Sequence, residues 1–112
     1  MTDKSSIQQI IGCLMQRPHL LSEVDKYSLT IADFSTRFER YVFSAILGLY
    51  RQGATNIEPI DVSNFLEADD VAKKTFVNCN GVEYLQDVVE FSSVENFDYY
   101  YNRLKKINLV RD

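Results

Sequence analysis

TRFERYVFSAILGLYRQG, residues 36–53, decides the fold class. Phe38, Tyr41, Val42, Ala45, Ile46, Leu49 and Tyr50 recur at intervals of three and four. That spacing puts them along one face of a helix running from about Thr36 to Gln52. Gly53 follows where a helix commonly ends in a left-handed residue. The breadth of the stripe predicts that this helix forms the centre of the core.

Outward toward the carboxyl end, residues 54–60 read as a loop containing Pro59. Asp61 is the expected N-cap of the next helix, with Ile60 and Phe65 spaced for a hydrophobic staple and Val62, Phe65 and Leu66 facing inward. A short helix is expected from Val71 to Val77. Asn78-Cys79-Asn80-Gly81 is a turn signal. Val82, Tyr84, Leu85, Val88, Val89 and Phe91 then predict another helix, broken by Ser92 and Ser93. Asn96 is the expected cap of a last helix through Phe97, Tyr100, Tyr101, Leu104, Ile107 and Val110. The chain reaches Asp112 with that helix in phase and no residue to end it, which predicts a cut inside a longer helix.

Toward the amino end, Ser5 and Ser6 can cap a helix whose stripe is Ile7, Ile10, Ile11 and Leu14, ending near Gln16. Pro18 stops it and suits the first position of a short helix buried through Leu20, Leu21 and Val24. Thr30 can cap a turn through Ile31-Ala32-Asp33-Phe34. Period-two alternation is weak throughout, so no strand is required. The reading is all-α, a compact multi-helix orthogonal bundle ending in the first part of a helical hairpin. Residues 1–95 form the globular part and 96–112 the start of the long last helix.

The bulk numbers bound the function. A chain of 112 residues makes one domain with one modest core. Apolar residues are 46% and charged residues 25%, which does not suit disorder. A net charge of −4 argues against general nucleic-acid binding, because the surface repels phosphate. No apolar run approaches the ~20 residues that span a bilayer. No signal peptide is evident, so a reduced cytoplasmic setting is expected, away from any membrane. Cys13 and Cys79 are too few for a disulfide framework or a cysteine zinc site, and both read as buried free thiols.

Catalytic chemistry is missing from the pattern. There is no glycine-rich phosphate loop. His19 is the one histidine and has neither nucleophile nor orienting partner beside it. Glu67, Asp69 and Asp70 do not follow calcium-loop spacing and read as solvated. Asp33 and Asp61 read as turn or capping residues. Tyr99-Tyr100-Tyr101 followed by Arg103, Lys105 and Lys106 mixes aromatic and basic residues, as single-strand binders do. Consecutive helical residues point about 100° apart, however, so the three rings cannot make one platform. Some must pack. Tyrosine and arginine also suit a protein interface.

Several segments in order resemble the amino-terminal domain of DnaB-type replicative helicases. They are Ile10-Ile11-Gly12-Cys13-Leu14-Met15 with Pro18-His19-Leu20-Leu21, then Asp33-Phe34 with Phe38 through Ile46, Leu49 through Gly53, Pro59-Ile60-Asp61-Val62, Gly81-Val82-Glu83-Tyr84-Leu85, and Asn96 onward. Glu39 stands where many members carry His, and the tyrosines resemble phage or Gram-positive versions. The resemblance implies a non-catalytic assembly and docking domain. It implies self-association in the helicase hexamer and contact with primase and, in some systems, a loader. DNA would be reached only through the parent protein, an ATP-dependent helicase using ATP and Mg; this part would hold no cofactor and no metal. Tyr100, Tyr101, Leu104, Lys105 and Ile107 are the expected partner-binding residues, with Tyr100, Leu104 and Ile107 as exposed apolar positions. In isolation the chain is expected to be a monomer or weak dimer. The alternatives are a stand-alone helical adaptor or decoy, or a nucleic-acid-binding domain using Tyr99, Arg103, Lys105 and Lys106.

Overall fold

A run without charge opens the structure. Residues 5–16 carry no Asp, Glu, Lys or Arg, and they form most of α1, Lys4–Gln16. The computed structural model describes residues 4–23 and 26–111, with side chains to residue 107. Ile7, Ile10, Ile11, Cys13, Leu14 and Met15 are all fully buried, and Ser6 with them. α1 is thus the enclosed helix of the bundle. This corrects the expectation that helix 36–52 sits at the centre. The stripe on residues 38–50 has a polar reverse side and can be covered from one side only. α1 has no charged side to keep in water.

The other helices are α2 (Arg37–Arg51), α3 (Pro59–Phe65), α4 (Asp70–Asn78), α5 (Gly81–Phe91) and α6 (Phe97–Arg111). Short 3₁₀ turns lie at Pro18–Ser22, Ile31–Asp33, Leu66–Ala68 and Val94–Asn96. There is no strand among the described residues. α5 and α6 pack on α1, α3 packs on α5 and α2, and α4 packs on α2 and α5. The Cα radius of gyration is 13.1 Å, near the ~13 Å of a tightly folded chain of this length.

Each helix starts where local chemistry allows. Thr36 Oγ1 accepts from the Glu39 amide at 3.1 Å, and Glu39 Oε1 accepts from the Thr36 amide at 3.0 Å and the Ser35 amide at 2.9 Å. That reciprocal box satisfies three donors at the start of α2. Glu39 is buried despite its charge, which these bonds make tolerable. Gly53 ends α2 at φ +99°, as its position predicts.

α3 begins earlier than expected. Its N-cap is Glu58, Pro59 is at the first turn, and Asp61 Oδ2 accepts from the Glu58 amide at 2.9 Å. The fixed φ of Pro59 is preset for a first helical residue. Asp61 therefore falls at the third position rather than the cap, and Ile60, at 56% exposure, staples nothing. Asp69 caps α4 by accepting from Val71 N at 3.1 Å and Ala72 N at 3.2 Å. Asn80 holds a left-handed φ of 53° before α5. Val94–Asn96 continues directly into α6, so Asn96 ends a 3₁₀ turn at the point where it was expected to cap. Val24 and the side chain of Val110, expected on buried faces, lie outside the described residues.

α1 also finishes its neighbours' ends. Gln16 Nε2 donates to the Val89 carbonyl at 3.2 Å and to Ser92 Oγ at 2.7 Å. Gln9 Oε1 accepts from the Ser93 amide at 3.1 Å, and the Cys13 thiol donates to the Ser93 carbonyl at 3.3 Å. These bonds satisfy groups that the end of α5 leaves unpaired. At the other end, Ile57 N donates to the Met15 carbonyl at 2.8 Å.

The two cysteines part company. Cys13 is buried, and burial pushes its thiol up to about 11 from an ordinary 9.0. Cys79, at the end of α4, is exposed, against the expectation that both are buried. Its neighbours Asn78 and Asn80 are exposed turn residues, so no apolar surface closes over it. A thiol reagent at pH 8 is expected to modify Cys79 rapidly and Cys13 only when the domain unfolds; Cys79→Ser then removes the fast phase. In the fold Cys13 holds its proton above the pH at which the unfolded chain loses it. Its contribution to stability is therefore complete below pH 9 and is lost between pH 9 and 11, a fall of about 3 kcal/mol at one pKa unit per 1.36 kcal/mol. Urea melts across that window are expected to slope down in the native chain and less in Cys13→Ala.

Candidate functional site

The last helix carries the cluster that the sequence singles out, and its first turns are bound to the loop before α2. Phe97 and Leu104 point into the core at 2% and 1% exposure. Tyr101 packs edge-on to Tyr27 at 5.0 Å, and its hydroxyl accepts from the Ser28 amide at 2.8 Å. The Tyr27 ring meets Phe97 edge-on at 4.7 Å, and its hydroxyl donates to Asp98 Oδ1. Lys26 adds a looser pair with Asp98 at 3.7 Å. One turn further on, Lys105 Nζ donates to Asp33 Oδ2 at 2.8 Å. Asp33 is buried, and the same oxygen accepts from the Thr30 amide at 2.9 Å.

The five residues expected to bind partners therefore divide. Leu104 belongs to this chain's own core, which corrects its reading as an exposed position. The apolar residues of α6 lie around more than one side of the helix, and packing against α1 selects the side that includes Leu104. Tyr101 and Lys105 are engaged with the 26–34 segment. Tyr100 and Ile107 are half-buried. Tyr99 is the exposed ring, at 59%, and sits edge-on to Tyr100 at 5.0 Å. Asn102, Arg103 and Lys106 are exposed beside it. The tyrosines do split between packing and exposure, as the helical geometry requires. With Lys105 neutralised by Asp33 and Asp98 in the first turn, α6 does not offer a continuous basic strip for phosphate.

No group of three or more His, Cys, Asp or Glu comes together among the described residues. Glu67 pairs with Lys73 at 2.9 Å, and Lys73 also bonds the Ser63 carbonyl at 3.0 Å. His19 lies exposed in the 3₁₀ turn Pro18–Ser22, where its carbonyl accepts from Ser22 Oγ at 2.6 Å. Tyr84 is held protonated well above its ordinary range, first by burial and then by the Glu39 carboxylate. Its ring stands edge-on to Phe38 at 5.0 Å, a structural position. The carboxylate at position 39 thus closes the α2 cap and faces a half-buried phenol.

The described residues form a bundle of helices in which α6 keeps Tyr99, Asn102, Arg103 and Lys106 exposed. The model of the DnaB-like helicase N-terminal domain matches residues 5–106. The chain belongs to that family. This DnaB-like domain is also 38% identical over 110 residues to the SPbeta prophage-derived uncharacterized protein YorI of Bacillus subtilis (strain 168). The match covers 98% of the chain but only 22% of that relative's length. No solved structure matches. The phage flavour of the sequence agrees with a prophage relative. No helix among the described residues is long and apolar enough to cross a membrane.

Proposed function

We propose that this chain is a non-catalytic assembly and docking domain of a DnaB-type replicative helicase. The observation that carries the reading is the family match across residues 5–106, with the chain corresponding to about a fifth of a longer relative. In this reading the ATP- and Mg-dependent motor and the contacts with DNA belong to the rest of the parent protein, in the cytoplasm. The domain contributes self-association within the hexamer and a surface for primase or a loader. Exposed aromatic and basic residues suit that task, since tyrosine and arginine anchors carry much of the energy of protein interfaces.

The binding face is Tyr99, Tyr100, Lys106 and Ile107 on α6. Tyr101, Leu104 and Lys105 serve it by fixing the helix on Tyr27, the core and Asp33. The test has two parts. First, the parent reading frame is read for a Gly-Lys-Thr/Ser phosphate loop downstream; its absence overturns the helicase assignment. Second, the domain is titrated with the helicase-binding domain of the primase from the same replicon. Tyr99→Ala with Ile107→Asp is expected to weaken binding at least tenfold while the melting curve stays cooperative. Undiminished binding by that variant overturns the α6 face.

A further inference from the structure

A second surface stands apart from α6. A partly enclosed cleft of about 220 Å³ is walled by Leu20, Leu21, Tyr27, Leu29 and Leu47. Arg51, at the end of α2, is its one charged lining residue among the described residues, and no ion pair engages it there. A cleft with leucine walls, Ser28 at its side and a guanidinium without an ion pair among the described residues suits an apolar side chain flanked by carboxylate.

The same chain displays such a group. Phe91, the last residue of α5, is 50% exposed. Asp87 and Glu90 are exposed and border it, all three lining one shallow surface. Asp87 lies one helical turn before Phe91, so both project on the same side. The chain thus carries an aromatic knob between two carboxylates and an apolar socket beside an arginine.

We propose that the socket at Leu20, Leu29, Leu47 and Arg51 receives Phe91 of a second copy of this chain, with Asp87 and Glu90 paired to Arg51. This rests on the self-association half of the reading above and moves one contact away from α6. Knob and socket are different surfaces, so the junction is heterologous and can close a ring of copies. One inserted ring buries far less than the roughly 1,200–2,000 Å² of a stable interface. The contact is therefore weak between free chains and becomes effective when other contacts hold copies together.

The test gives each partner half of the junction. Isotope-labelled Phe91→Ser chain keeps its socket; unlabelled Arg51→Glu chain keeps its knob. Both changed residues are solvent-exposed, and melting curves verify the folds. Mixing at up to millimolar concentration is expected to shift the backbone amides of Leu20, Leu29 and Leu47. Unlabelled Phe91→Ser is expected to leave them unmoved. Asp87→Lys with Glu90→Lys in the knob partner is expected to weaken the titration at least tenfold, and adding Arg51→Glu to the socket partner to recover most of that loss. Absence of shifts, or equal shifts with Phe91→Ser, overturns the proposal. Shifts confined to Tyr99 and Ile107 overturn it too, while leaving pairing through α6 standing.

Discussion

Gly12→Val is expected to prevent this domain from folding, or to cost on the order of 4 kcal/mol where it folds. A Cβ at Gly12 would lie 2.4 Å from Ser92 Oγ and 2.5 Å from the Val88 carbonyl oxygen. The hydroxyl can rotate. The carbonyl is backbone in the last turn of α5 and cannot move alone. α1 and α5 must therefore separate, and the bonds from Cys13 and Gln16 to the 89–93 segment open with them. Overpacking of a closed core costs about 1–3 kcal/mol, and the lost bonds add about 1 kcal/mol each. Gly12→Ala gains back roughly 1 kcal/mol of helix propensity, so about 2 kcal/mol of net loss is expected. Gly48→Ala is the control. Its Cβ would meet the Phe65 ring at 2.3 Å, and that side chain, half-buried, has room to turn. Urea melts rank the three variants. A Gly12→Ala chain as stable as the parent would mean that α1 and α5 do not approach this closely.

Phe34→Ala is expected to cost about 4 kcal/mol, the range for truncating a fully buried phenylalanine. Phe34 has no exposed surface, and its ring stacks on Phe43 at 4.7 Å with the planes 27° apart. Stacking of this kind adds about 1 kcal/mol beyond area. Against a total stability of about 5–15 kcal/mol for a domain, the loss lowers Tm by roughly 20 °C. Phe34→Leu retains most of the volume and is expected to lose about 1.5 kcal/mol. The residue also has a local duty that this substitution spares. Its carbonyl accepts from Arg40 Nε at 2.9 Å, a bond made by backbone and independent of the ring. Calorimetry of both variants separates buried volume from ring stacking; a loss in Phe34→Leu as large as in Phe34→Ala would show that the stacked ring, and not its volume, carries the stability.

Much of this was readable along the chain because the signals are local. Gly53 ends α2 and Pro18 opens its 3₁₀ turn through their own backbone preferences, and Asp33 and Asp61 accept from amides three residues back. The family pattern was readable for the same reason, as short motifs in order. What escaped depended on residues far apart in sequence. The centrality of α1 is written in its charge-free run, residues 5–16, and not in the breadth of its apolar stripe. Nothing near Leu104 or Lys105 announces that one enters the core and the other reaches Asp33, 72 residues away. Pro59 moves the start of α3 back past Asp61, because its fixed φ suits the first helical position. On α6 the helix itself is legible in the sequence and its inward side is not.

The bonds that Gln9, Cys13 and Gln16 make to residues 89–93 span most of the chain. α1 leaves the ribosome before α5 and α6 and waits for them. Until roughly residue 104 has cleared the exit tunnel, a helix uncharged over residues 5–16 lacks the walls that enclose it. Long-range closure of this kind slows folding, and apolar surface left open during synthesis invites aggregation and chaperone capture. Arrested nascent chains should accordingly show little tension at the arrest site until α6 emerges, and then release it in a single step.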